Sequence, residues 1–395
     1  MDSRIFSFER VRFALLYLLC VVVISACSPL NMGQFAGSGT RLDGKKRVQV
    51  AILLPISAGD KRVRDLAASA DRAARMAMKD LKNSVEIDLR LYDTAGLEAQ
   101  AAEMARLAVD EGAKVIVGPL FGGAANAAGL AIAGRNVNIL SLSNNTDIAG
   151  GNVYVLGHTF QNTADRLVSY AFTQGKNRVL IVHANNLQGL AGSAAISQAL
   201  SKEGVAAVGV ESYEFTQQDV VDAMSQVAIR NTEVEADIVF LTADYDGALP
   251  LIAQLLPEAG VDPRTVKYAG LSRWDALPSA FNLPGIQGGW FVMPSANRTR
   301  LFKQRYQAVY GSGPHPLATI AYDSVAAVGA SVATGSRDAL SASGLTRRNG
   351  FQGAAGIFRL KADGTNERGL SVVKIEGNKI VLLDPAPHSF GQFGF

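Results

Sequence analysis

The sequence predicts an α/β protein whose sheets are mainly parallel and flanked by helices. Three observations carry this. Short apolar runs alternate with longer segments of helical spacing from Val48 onward, the trace that strand–helix–strand crossovers leave in a chain. The runs are apolar at nearly every position, as strands covered on both faces are. After residue 350 the pattern changes to short segments separated by Asp-Gly and Gly-Asn, which read as antiparallel hairpins.

The elements follow in order. Val48–Leu54 is a buried strand ending at Pro55, and residues 61–82 repeat apolar side chains at helical spacing from Val63 to Leu81. Ile87–Tyr92 is the second strand, Leu97–Val109 the next helix and Lys114–Val117 the third strand. Further strands are expected at Arg178–Val182, Ala207–Tyr213, Ile238–Thr242 and Val266–Ala269, with helices near 164–174, 190–203, 218–230 and 246–259. Gly356–Leu360, Leu370–Glu376 and Lys379–Leu383 form the C-terminal antiparallel part. No 20–50-residue repeat is visible.

A length of 395 residues suggests two domains or one two-lobed one. With 48% hydrophobic and 18% charged residues the chain should pack rather than stay disordered. A net charge of +3, from 38 basic and 35 acidic residues, lacks the basic excess of a nucleic-acid binder. Two cysteines and four scattered histidines exclude a disulfide scaffold and a sequence-local metal site. No GxSxG, Walker or dinucleotide fingerprint is present. The chain is therefore read as non-enzymatic, with no catalytic residues, no metal and no cofactor.

The amino terminus reads as an address. Arg4, Arg10 and Arg12 precede an apolar run, Phe13–Ala26, too short to span a membrane. Ile24-Ser25-Ala26-Cys27 resembles the bacterial lipobox, which implies a signal peptide over 1–26 and lipidation of Cys27. An ordinary signal peptide with an incidental cysteine is the alternative. Residues 27–47 then form the lipidated cysteine and a glycine-containing tether. Ser28 after the cysteine points to the periplasmic face of the outer membrane rather than the inner one, and membrane contact is expected through the lipid alone.

Val50-Ala-Ile-Leu-Leu-Pro55, Leu91-Tyr-Asp-Thr94, Gly112-Ala-Lys-Val-Ile-Val-Gly-Pro-Leu120, Asn138-Ile-Leu-Ser-Leu-Ser-Asn-Asn145 and Phe351-Gln-Gly-Ala-Ala-Gly-Ile-Phe358 together resemble the type I periplasmic binding fold of the leucine/isoleucine/valine-binding protein family. Within it they look most like the lipid-anchored penicillin-binding-protein activators, though the helical-repeat domain of those activators does not precede Val48. The resemblance implies two lobes joined by crossings near 157–160, 293–297 and 348–351. Lobe 1 would be 48–157 plus 297–348, lobe 2 158–293 plus 351–385, and 386–395 a C-terminal tail. Each lobe would be a mainly parallel sheet flanked by helices.

Ligands of such sheets bind beyond the carboxyl ends of the strands, which selects the candidate cleft residues. Ser57 follows the first strand. Phe121, Gly122 and Gly123 follow the third, where helix-start N–H groups either hold an anion or simply begin a tightly packed helix. The resemblance implies a ligand-binding serine in that loop, and Gly122-Gly123-Ala124 lacks it. Ser143, Asn144 and Asn145 end the fourth strand and either bind ligand or form a solvated turn. Gln188 and Tyr245 fall at positions where the relatives place covering aromatic residues. Asp244 suits an N-cap for the following helix. Arg273 stands where the relatives carry an acidic clamp, and would repel an ammonium. Asp275 could replace the clamp only with a shifted loop. Free branched-chain amino acids are therefore not the expected ligands.

His183 reads as a packed, hydrogen-bonded histidine, and Trp274 and Trp290 as core residues. Two functions fit: a lipoprotein that activates a peptidoglycan synthase (a penicillin-binding protein), or the solute-binding subunit of an ABC importer, for amino acids or related small molecules. The residues first favour the former, with any small-molecule ligand held in the inter-lobe cleft.

Overall fold

The computed structural model of the protein describes residues 39–43, 47–276 and 281–390. The expected signal peptide, Cys27, most of the expected tether and the end of the expected tail lie outside the described residues.

The first part of the chain runs β1 (Val48–Leu54), α1 (Lys61–Leu81), β2 (Ile87–Asp93), α2 (Glu98–Asp110), β3 (Val115–Val117), α3 (Gly122–Ala131), β4 (Asn138–Ser141) and β5 (Val153–Val155). These strands form one parallel sheet in the order β2-β1-β3-β4-β5. The chain continues through α4 (Phe160–Thr173), β6 (Val179–Ala184), α5 (Leu187–Lys202), β7 (Gly209–Tyr213), α6 (Gln217–Val234), β8 (Ile238–Leu241), α7 (Leu249–Glu258), β9 (Lys267–Gly270) and β10 (Trp290–Met293). It closes with α8 (Ala296–Tyr310), α9 (Ala318–Val332), α10 (Ala342–Leu345), β11 (Phe351–Gln352), β12 (Ile357–Leu360), β13 (Asn366–Arg368), β14 (Ser371–Glu376) and β15 (Lys379–Asp384). The second sheet has the order β15-β14-β10-β9-β8-β6-β7, parallel from β10 to β7 with an antiparallel hairpin at its far edge. This is the two-lobed α/β architecture the alternating pattern predicts.

Local sequence accounts for the main elements. The Asp60 carboxylate caps α1 by accepting from Arg62 N at 2.7 Å. Its inward face is almost all alanine, with Ala67, Ala70, Ala73, Ala74 and Ala77 buried, so α9 packs close against it. Gly377 and Asn378 both take positive φ, 56° and 60°, the conformation a two-residue hairpin between β14 and β15 demands.

The expected lobe boundary at 351 needs correction. Phe351, Phe358 and Leu360 pack in the first lobe's core with Val50, Ile52, Val325 and Val328. Only from Leu370 and Val372 onward does the chain enter the second lobe's core. The small β11-β12-β13 sheet therefore packs with the first lobe, and the third crossing lies between Arg368 and Ser371. Helix α7 also begins three residues later than expected, because Asp244–Ala248 form a turn in which the Asp244 carbonyl accepts from Gly247 N and Leu249 N.

The first and third crossings are tied together. Asn366 Nδ2 donates to Val155 O and Gly157 O, both at 2.9 Å. Arg368 donates from Nε and Nη2 to Leu156 O at 3.1 and 2.6 Å. Its Nη1 pairs with Asp323 Oδ2 of α9 at 3.0 Å, with side chains 3% and 0% exposed. Asp323 Oδ1 also accepts from Ala354 N at 2.6 Å. Burial pushes the Asp323 carboxyl up while Arg368 pulls it back. The Arg368 and Asp323 side chains thus each meet several partners, the condition under which a buried ion pair persists, while Asn366 Oδ1 stays buried without one.

Candidate functional site

The loops at the carboxyl ends of both sheets build the candidate cleft, and the structure treats the two walls differently. On the first wall, Gly122, Ser143 and Asn145 come together. A Cβ on Gly122 would stand 3.3 Å from Asn145 Nδ2 and 3.5 Å from Ser143 Oγ. Ser143 Oγ accepts from Asn145 N at 3.1 Å, and Asn145 Oδ1 accepts from Asp147 N at 2.9 Å. The Asn-rich turn thus spends much of its polar capacity on itself. Asn144 is exposed beside it.

Ser57 and Phe121 form a second group on this wall. Asp93 Oδ1 accepts from Ser57 N at 3.3 Å and from Ala95 N at 2.9 Å. Burial pushes the Asp93 carboxyl up, but hydrogen bonds from Ser57 and the neighbouring amides outweigh it and hold the group below its ordinary range. The Phe121 ring, 40% exposed, lies over the Gly96 turn next to Pro55 and Ala58.

The start of α3, where a ligand carboxylate was considered, has a resident neighbour. A Cβ on Gly123 would overlap Oε1 of Glu98. A carboxylate from α2 thus already lies beside the positive end of α3, where a second anion would meet repulsion. Glu98 is not legible in the sequence because it opens its own helix, α2, by position but serves another by space.

On the second wall, Arg273 is held by a fork to Asp275, with Nε to Oδ1 at 2.5 Å and Nη2 to Oδ2. Both flank Trp274, which is fully buried and fits only because Gly270 and Gly289 lack side chains; a Cβ on either would overlap the indole. Neither Arg273 nor Asp275 is therefore a free charge for a ligand. Arg273 still acts on the crossing: desolvation first, then the charges of Arg368 and Arg273, drive half-buried His158 down to about 3, so it is neutral at cellular pH. His183 is buried, its Nδ1 2.9 Å from Ala184 O, and Trp290 is buried in the core, both as expected.

Gln188 is exposed on α5 and donates weakly to Asp244 Oδ2 at 3.4 Å. Tyr245 leans on the second lobe's core rather than standing free. Asp244 is not the N-cap of α7; that position is Ala248, which makes no side-chain cap bond. Its carboxylate instead lines a cavity of about 230 Å³ with Asn186, Gln188, Tyr213, Phe215, Thr242 and Asp246. Tyr213, Phe215, Thr242 and Asp246 were not singled out in the sequence. They lie at the carboxyl ends of β7 and β8, where the strand-end rule points.

Residues 47–379 match the family model described as periplasmic binding protein. The chain belongs to that family, with the type I fold of the leucine-binding proteins. Among solved structures it is similar to an ABC transporter protein from Rhodospirillum rubrum, at 18% identity and a TM-score of 0.71, over 86% of this chain and 100% of that one. It is also similar to an ABC transporter substrate-binding protein from Desulfitobacterium hafniense in complex with Leu, at 17% identity and a TM-score of 0.61, over 86% and 100% of the chains. A third is a solute-binding protein from R. palustris in complex with benzoate, at 17% identity and a TM-score of 0.55, over 88% and 98%. At these identities the likeness speaks for the fold. No protein of curated function matches the sequence.

Proposed function

We propose that this chain is a non-enzymatic solute-binding protein that takes a small molecule between its lobes and presents it to an ABC-type importer from a lipid anchor at Cys27. The observation that carries the reading is the second wall, where strand-end loops surround a cavity lined by polar and aromatic side chains, in a fold whose solved neighbours include proteins with bound Leu and benzoate. This reverses the order of preference drawn from the motifs, since the family and its neighbours lean toward solute binding. The ligand is not a free branched-chain amino acid, because Glu98 lies beside the anion position and Arg273 is spent on Asp275.

A second reading remains attached to one observation. The anchor points Ser143, Asn145 and Arg273 are engaged within the chain itself, which also suits a domain that docks on a peptidoglycan synthase. One experiment separates the two. The anchored protein is cross-linked in membranes and its partners identified, while small-angle scattering follows the purified protein across a solute panel. Lobe closure with a solute and recovery of a permease support import. Recovery of a synthase and no closure with any solute overturn it. Labelled fatty acid that fails to enter a Cys27→Ser variant supports the anchor, and continued labelling removes it.

A further inference from the structure

We infer that the cavity at the ends of β6, β7 and β8 is a site for a small organic cation, an amine with an apolar or aromatic body and no carboxylate. The inference rests on the solute-binding reading and names the ligand class for that wall.

Four features converge. First, the cavity carries two carboxylates and no basic side chain among its lining residues. Asp244 has lost the capping role its position suggested, and its carboxylate receives a single weak hydrogen bond, from Gln188 at 3.4 Å. Asp246 beside it is exposed. Second, the cavity has an aromatic surface. Phe215 is 63% exposed although it is a large apolar ring, and it lies against Gly247, where a Cβ would stand 3.4 Å from the ring. Tyr213 supplies a second ring, and burial followed by the negative charge of Asp244 pushes its hydroxyl up to about 12. Rings beside carboxylates are the environment in which an ammonium gains both Coulomb and cation–π attraction.

Third, the cavity holds an unanswered polar group. Thr242 is 5% exposed and lines the cavity. Its Oγ1 is buried without a hydrogen-bond partner. A buried hydroxyl left unpaired is costly, and it sits in a residue of the cavity wall and in none of the named first-wall residues. Fourth, the opposite wall disfavours an acid. Glu98 lies at the α3 start where the carboxylate of a zwitterion would otherwise go. A ligand with an ammonium and a carboxylate meets attraction on one wall and repulsion on the other, whereas an amine meets no such conflict.

Calorimetry on the purified full chain tests this with phenethylamine, choline and putrescine as cations, and leucine and benzoate as carboxylate-bearing comparisons. At least one cation should bind, and Asp244→Asn should weaken it about tenfold or more, since a desolvated charge pair is lost. Phe215→Ala should weaken phenethylamine several-fold more than putrescine, which has no ring. Both substitutions fall outside the buried cores, and circular dichroism checks that each variant folds. Leucine or benzoate binding with no cation binding overturns the cation site and leaves solute binding standing. Equal cation affinity in Asp244→Asn overturns it as well. Cation binding without lobe closure or permease recovery keeps the site and removes the import reading. Binding of none of the five probes overturns the cation class outright.

Discussion

The two walls of the cleft are built from equivalent loops, yet one answers its own polar groups and the other does not. On the first wall Ser143 accepts from Asn145, Asn145 from Asp147, and Asp93 from Ser57 and Ala95. On the second, Thr242 is buried without a partner and Asp244 has one weak contact. The first wall is a finished surface. The second carries the marks of a surface that needs something else to complete it. A polar group left over in a folded protein is paid for in stability, so its position says where function has been traded against folding.

The largest expected effect comes from cutting the strut both walls share. Arg368→Met strands Asp323, which is 0% exposed, without its cation. The loss should be about 3–5 kcal/mol, read as the shift of a urea transition. Adding Asp323→Leu should recover much of it; no recovery would mean that the bonds from Arg368 to Leu156 O matter more than the ion pair.

Gly157→Ala should come next. Its Cβ would stand 2.5 Å from Ser143 O and 2.6 Å from Asn144 N, so the crossing must move away from the first wall. A loss of about 1–3 kcal/mol is expected from such overpacking, and an unchanged melting point would show that the crossing is looser than its contacts imply.

The sharpest test of the contrast is a pair of small changes with opposite signs. Ser143→Ala removes an accepted hydrogen bond from the first wall and should cost about 1 kcal/mol. Thr242→Val removes an unpaired hydroxyl from the second and should stabilise by up to about 1 kcal/mol. Destabilisation by both would mean that the walls do not differ.

The smallest effect is a slope with pH. His158 is held near 3 in the folded chain against an ordinary 6.5, so the unfolded chain binds its proton first. Its contribution is fully present above pH 6.5 and is lost as pH falls toward 3. His158→Gln should flatten the stability profile between pH 6.5 and 4.5, and an unaltered profile would show that this ring is not shielded.

The strands and helices were legible because burial on both faces leaves continuous apolar runs such as Val50–Leu54 and Ile238–Leu241. The 351 boundary was not legible. Phe351 and Phe358 look the same in sequence whether they enter one core or the other, and only the partner decides. The first-wall residues were legible from the strand-end rule, whereas Glu98 was not, because it acts on a helix whose sequence lies elsewhere. Asp244 misled for a local reason: Asp before a helix usually caps it, but here a five-residue turn intervenes.

The late segments of the chain have a consequence for the order of events during synthesis. Asn366 bonds to Val155 across 211 residues, β11–β13 finish the first lobe, and β14 supplies the antiparallel neighbour of β10. Neither lobe can be completed while residues 351–376 are still unmade. The nascent chain must therefore hold β10 as an open edge of the second sheet, and a first-lobe core still lacking Phe351, Phe358 and Leu360, until nearly all of it has emerged. Such edges invite pairing with other chains, so a truncation near residue 350 should yield two sticky halves and not one healthy lobe.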